Sequence, residues 1–260
     1  MAALLEPDTH PFNCMWIHPM TLPIRLGVLT PSSNTVLEPL TQALVARLPG
    51  VSVHFARFPV TRIALSADAL GQFQRERILA AARLLADARV DVIGWSGTSA
   101  GWLGFAEDEA LCAAITDTTG IAATTSVLAL NKALQAFGVQ RLGLVSPYLG
   151  NVQAKIIAHY AALGIDTSSE SHLSLENNFS FAEVEEATLD RQVAEVAAAG
   201  VEAVTIFCTN LRAAHRVELW EAQFGVPVFD TITTVVWDML RKAGVDSRCV
   251  SGWGRLLQEA

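Results

Sequence analysis

The sequence has no CxxC pair, no basic stripe and no apolar run long enough to cross a bilayer. Each absence closes off a class of function. Its four cysteines, Cys14, Cys112, Cys208 and Cys249, lie far apart in a chain of 260 residues. Such spacing argues against a disulfide framework or a structural zinc site and fits a reducing cytoplasm. Lys and Arg total 18 against 26 Asp and Glu, for a net charge of -8. Nucleic-acid binding needs clustered cations, so this balance argues against such a partner. A membrane-spanning helix needs roughly 18 consecutive apolar residues. None is present, so a soluble, cytoplasmic protein without a membrane partner is expected. Charged residues are also sparse, at 17%, beside 51% hydrophobic. That ratio belongs to a globular chain with a large core, and the length suits two compact α/β domains or one large one.

Residues 1–23 have no regular period and read as an arm, or as an extension upstream of a start near Met20. Glu6 and Asp8 stand where a signal peptide would carry cations. The spacing His10, Cys14, His18 has the look of metal ligands, but no fourth ligand or scaffold accompanies it, and no metal site is proposed. From Arg25 onward, short β-branched runs alternate with Ala/Leu-rich amphipathic stretches, the rhythm of βα units around parallel sheets. Strands are expected over 25–29, 51–58, 90–95, 121–124, 141–145, 201–207 and 226–229. Helices are expected over 35–48, 69–88, 107–118, 127–137, 151–163, 189–199, 211–224 and 233–243.

Three segments recur in order. RLGVLTP from Arg25 matches RLGLVSP from Arg141, VDVIGWSGTS from Val90 matches VEAVTIFCTN from Val201, and TGIAATTS ending at Ser126 matches FGVPVFDT ending at Thr231. The offset drifts only from 116 (141 − 25) to 105 (231 − 126). An internal duplication follows: two similar α/β halves facing across a cleft. Ligands of parallel α/β sheets lie beyond the carboxyl ends of the strands, so the polar tripeptides after each strand would line that cleft. In this register Cys208 matches Gly97, Thr209 matches Thr98 and Asn210 matches Ser99. Only one copy keeps a thiol.

GVLTPSSNTVLEP (27–39), GTSAGWLG (97–104), Ser146-Pro147-Tyr148, LENNF (175–179), FCTNL (207–211) and GWGRL (252–256) together resemble the aspartate/glutamate racemase superfamily. The nearest branch is that of maleate cis-trans isomerases and arylmalonate decarboxylases. The resemblance implies an α/β fold of two pseudo-symmetric flavodoxin-like domains, each a parallel sheet flanked by helices, with the active site between them. It implies residues 24–128 with 230–260 as the first domain and 129–229 as the second. It implies no cofactor and a small dicarboxylate substrate; a homo-oligomer is compatible with it. Racemases and isomerases of the family carry a cysteine at both strand ends, whereas arylmalonate decarboxylases keep only the second, with Gly-Thr-Ser at the first. This sequence has Gly97-Thr98-Ser99 and Cys208, as the decarboxylases do. Its Ser32-Ser33-Asn34 loop and Asn178 are isomerase-like, with Asn34 placed to hold a carboxylate, and Tyr148 matches both groups.

Gly97 cannot act as an acid or base, and the neighbouring Ser96 points to the opposite face of its strand. Two-base racemisation is therefore disfavoured, and double-bond isomerisation lacks its second thiol. Decarboxylation needs one proton donor. Cys208 would protonate an enediolate whose charge is held by the Gly97–Ser99 backbone and by Thr98, Ser99, Tyr148, Asn34 and Ser33, with Asn178, Thr209 and Asn210 alongside. The alternatives are a maleate isomerase or racemase built around one thiol, and a non-catalytic carboxylate binder. Plainer readings also exist. Buried free cysteine is mostly a small hydrophobe, as expected for Cys112 and Cys249. Asn34 suits a helix cap, Asn178 a turn and Tyr148 a loop aromatic. Trp95, Trp102 and Phe105 read equally as core or as the wall of an apolar pocket.

Overall fold

The β-branched runs become strands in a computed structural model that describes residues 23–260. Strands β1 (Ile24–Pro31), β2 (Val51–Phe58), β3 (Val92–Trp95) and β4 (Ala122–Thr125) form one sheet in the order β2-β1-β3-β4. Strands β5 (Leu142–Ser146), β6 (Glu170–His172), β7 (Ala203–Ile206) and β8 (Val228–Asp230) form a second in the order β6-β5-β7-β8. Every pairing is parallel. Adding four to each strand number turns the first order into the second, so the repeat written in the sequence is also a repeat of topology. All residues of β3 and of β7 are buried, as befits parallel strands covered on both faces.

In each sheet the chain leaves its first strand to one side and returns on the other. The break falls between β1 and β3 and between β5 and β7, which is where α/β sheets open a crevice. Asn34 follows β1, Gly97 follows β3, Tyr148 follows β5 and Cys208 follows β7.

The helix Thr231–Lys242 returns to the first sheet and lies on β3 and β4. Its residues from Thr231 to Leu240 are all buried. A Cβ on Gly94 would meet Met239 Sδ at 2.3 Å, so only glycine admits the helix so close to β3. Two of its hydroxyls bond to neighbouring elements: Thr231 donates to the Ile206 carbonyl (3.1 Å) and Thr234 to that of Ser126 (3.0 Å). Asp230 Oδ1 caps its start by accepting from the Ile232 and Thr233 amides. Thr125 does the same for the helix Ser126–Ala136, which runs through the expected 128/129 boundary. The closing GWGRL segment holds the C-terminus in place. Gly254 sits at φ +91°, and Arg255 donates its amide to Glu221, whose other oxygen receives the Val228 amide.

Some elements differ from expectation. β6 was not foreseen, because Glu-Ser-His is a half-exposed polar edge with no β-branched signal. The helix expected over 69–88 is interrupted at Gly71–Phe73, and the one expected over 211–224 begins at Val217. Cys249 is disulfide-bonded, contrary to the expectation of a buried free thiol. The arm and the His10/Cys14/His18 spacing lie outside the described residues.

Candidate active site

Two strand ends meet at the crevice. Thr209, two residues beyond Phe207, donates its hydroxyl to the Ser96 carbonyl at 3.2 Å. Asn34 reaches the same place from the loop after β1. Its amide donates to the Thr209 carbonyl (3.0 Å) and hydroxyl (3.2 Å), while its Oδ1 accepts the Val36 and Leu37 amides at 2.9 Å each. Helix cap and bridge between halves are therefore one side chain. Asn210 Oδ1 accepts the Thr35 amide, and its Nδ2 donates to the Asn178 carbonyl. Asn178 in turn donates to the Ser33 hydroxyl at 2.8 Å, and that hydroxyl donates to the Val60 carbonyl. The Asn178 amide donates to Thr61, and Arg62 pairs with Glu176 on the rim. A groove of about 460 Å³ lined by Ser33, Thr61, Arg62 and Asn177 lies over this seam.

Cys208 sits behind it, 2% exposed. Its surroundings are not purely apolar. Sγ accepts the Asn210 amide at 3.4 Å, and the Tyr148 hydroxyl hydrogen-bonds with the thiol. Burial pushes the Cys208 thiol up to about 12; the Asn210 amide and Tyr148 pull it down, and the Asp230 carboxylate adds a further upward push. At neutral pH the sulfur therefore carries its proton. Tyr148 shares a 2.6 Å hydrogen bond with Thr98 Oγ1 across the crevice. Its ring stands edge-on to Trp102 and Phe181. Burial, and then the neighbouring Cys208, raise the phenol well above its ordinary value, so it too stays a donor.

The residues expected at the site thus fall into one connected set: Ser33, Asn34, Asn178, Thr209 and Asn210 along the seam, and Thr98, Tyr148 and Cys208 behind it. Ser99 stands apart. Its hydroxyl accepts the Trp95 indole N–H at 3.4 Å, and it borders a separate cavity of about 240 Å³ with Phe73 and Leu111. Gly97 is covered by Trp95, whose Cζ2 lies 2.1 Å from where a Cβ would stand. Phe105 packs on His159 and Tyr160. Two further residues border this set. Trp95, which the sequence offers only as wall or core, is one. Asp230, a fully buried carboxyl pushed up to about 7 by desolvation, interacts with Cys208 while Oδ2 lacks a partner. The duplication held the clue, since Asp230 replaces the neutral cap Thr125 of the other copy. Among the described residues no cluster of three or more His, Cys, Asp or Glu is placed to hold a metal.

Comparison with known proteins places this geometry. Residues 56–257 match the family model described as arylmalonate decarboxylase. The maleate isomerase of Nocardia farcinica is 27% identical over 244 residues, covering 90% of this chain and 96% of the relative. The arylmalonate decarboxylase of Bordetella bronchiseptica is 30% identical over 188 residues, covering 71% and 78%. The solved structure of a Nocardia farcinica maleate cis-trans isomerase mutant with a covalently bound succinylcysteine intermediate superposes with a TM-score of 0.84, at 26% identity over 91% of this chain and 98% of that one.

Proposed function

The chain belongs to the arylmalonate decarboxylase family, in the branch of the aspartate/glutamate racemase-like superfamily that also holds maleate isomerases, and from this membership we propose a specific reaction. The protein is an enzyme of decarboxylase or isomerase chemistry. Within that pair, the proposed reaction is loss of CO2 from an α-substituted malonate. Cys208 delivers the only proton to carbon, and no cofactor takes part. The observation that carries this reading is a single thiol, Cys208, at the paired strand ends, with Gly97 at the matching position.

The retained carboxylate would take the donors now joined to one another: Tyr148, the Thr98 hydroxyl and the Asn34, Thr209 and Asn210 groups. Breaking the bond to the departing carboxylate sends its electron pair toward the retained one and forms an enediolate. Donors fixed in advance on those oxygens lower the barrier. Cys208 then gives its proton to the α-carbon from one side. The Asn210 amide and Tyr148 stabilise the resulting thiolate until solvent reprotonates it. One proton is consumed for each CO2 released. The loop bearing Ser33 and Asn34, together with Asn178, favours the second reading, isomerisation of a cis-unsaturated dicarboxylate. That route needs a thiolate to add to the double bond, and the environment of Cys208 favours the thiol. We further infer that the chain divides into 24–128 with 230–260 and an intervening unit over 129–229, the first junction lying within the helix Ser126–Ala136.

The test is incubation with phenylmalonate and with maleate in heavy water. CO2 release with one deuterium at the α-carbon of phenylacetate is expected. Fumarate from maleate without CO2 from phenylmalonate would establish the isomerase instead.

A further inference from the structure

We propose that Trp95 is a specificity-determining residue that confines protonation to one face by occupying the space a side chain at position 97 would need. The inference rests on Cys208 as the single donor and extends it to what excludes a second one. Gly97 lies two residues past the end of β3, where the chain passes under the Trp95 ring. The indole carbons Cζ2, Cε2 and Cη2 lie 2.1, 2.4 and 2.6 Å from the Cβ position of Gly97. No real side chain tolerates such distances. The indole is pinned as well, with its rings 4.9 Å from Phe58 and its N–H on Ser99 Oγ.

The second copy shows the opposite arrangement. In the register that matches Gly97 with Cys208, Trp95 matches Ile206 and Ser96 matches Phe207. The large ring has moved by one residue and therefore to the other face of the strand. Phe207 packs against Tyr160 and over Gly101, leaving the face of Cys208 open to Tyr148. Absence of a thiol at position 97 is thus only half of the first copy's silence. The bulk of Trp95 is the other half.

The experiment uses the residue of the second copy. In a Cys208→Ser background, Gly97→Cys is compared with Trp95→Ile/Gly97→Cys by iodoacetate labelling and peptide mapping. The introduced thiol should be alkylated about tenfold faster or more once the indole is gone. Gly97→Cys alone should also melt lower than the pair, because only the pair relieves the collision. With Cys208 restored, one enantiomer of an α-aryl propionate is incubated in heavy water. One thiolate removes the α-proton and the opposite thiol returns a deuteron, so the pair should racemise the acid and Gly97→Cys alone should not. Equal labelling, melting or racemisation by Gly97→Cys alone would overturn the role of Trp95. Retained labelling and melting differences without racemisation by the pair would leave Trp95 as the plug and count against Cys208 as an α-carbon acid/base.

Discussion

The two halves share one strand order but divide the chemistry unequally. The second copy of the repeat carries Cys208 after β7, Tyr148 after β5 and the Asp230 carboxyl at the end of β8. The first copy carries neutral groups at its strand ends: the Gly97–Thr98 backbone after β3, Asn34 after β1 and Thr125 at the end of β4. Duplication gives two equivalent sets of strand ends; in the reaction proposed above, their substitution makes one set an acid and the other a cradle for negative charge. A symmetric ancestor suits chemistry that works from both faces of a planar carbon. The asymmetric descendant suits chemistry that works from one.

The comparison breaks most sharply at the sulfur. Cys208→Ser should lower turnover of phenylmalonate by about 10²–10⁴-fold with the circular dichroism spectrum unchanged. A small loss would mean that the first half carries a donor of its own. Tyr148→Phe removes a hydroxyl shared by Thr98 and Cys208; a drop of about 10²-fold in kcat is expected in steady-state assays. Asn34→Ala strips both the seam and a helix start of their partner, and should destabilise the fold by about 2 kcal/mol in urea unfolding.

The smallest effect concerns the caps. Burial raises the Asp230 carboxyl to about 7, so the native state holds that proton more tightly than the unfolded chain does. Its contribution to stability is present at low pH and is lost as pH rises toward the folded value. Asp230→Asn keeps the Oδ1 cap and removes the titration. The variant should gain on the parent between about pH 4 and about pH 7, by about 2–4 °C in thermal melts, and no further above that. Falling gain with rising pH would show that the carboxylate is stabilised by its surroundings, as a neutral Thr125-like cap would not need to be.

Much of the architecture was legible because parallel strands buried on both faces leave continuous β-branched runs. β3 and β7, buried along their whole length, fall inside the runs expected over 90–95 and 201–207. β6 was not legible, since three polar edge residues gain strand character only by pairing with β5. At the site, chemistry-bearing residues showed themselves by position after a strand. Their partners did not. That the Asn34 amide grips Thr209, or that the Trp95 ring folds over Gly97 toward Ser99, depends on side-chain directions that no periodicity encodes.

The seam of asparagines has a consequence for affinity. Asn34, Asn178 and Asn210 already satisfy one another's neighbours across the divide. An arriving carboxylate therefore competes for occupied amides rather than filling vacant ones. Its grip is the difference between two nearly matched sets of hydrogen bonds. The more firmly the empty enzyme clasps itself, the more loosely it holds its guest, and in the proposed decarboxylation the sooner the product departs.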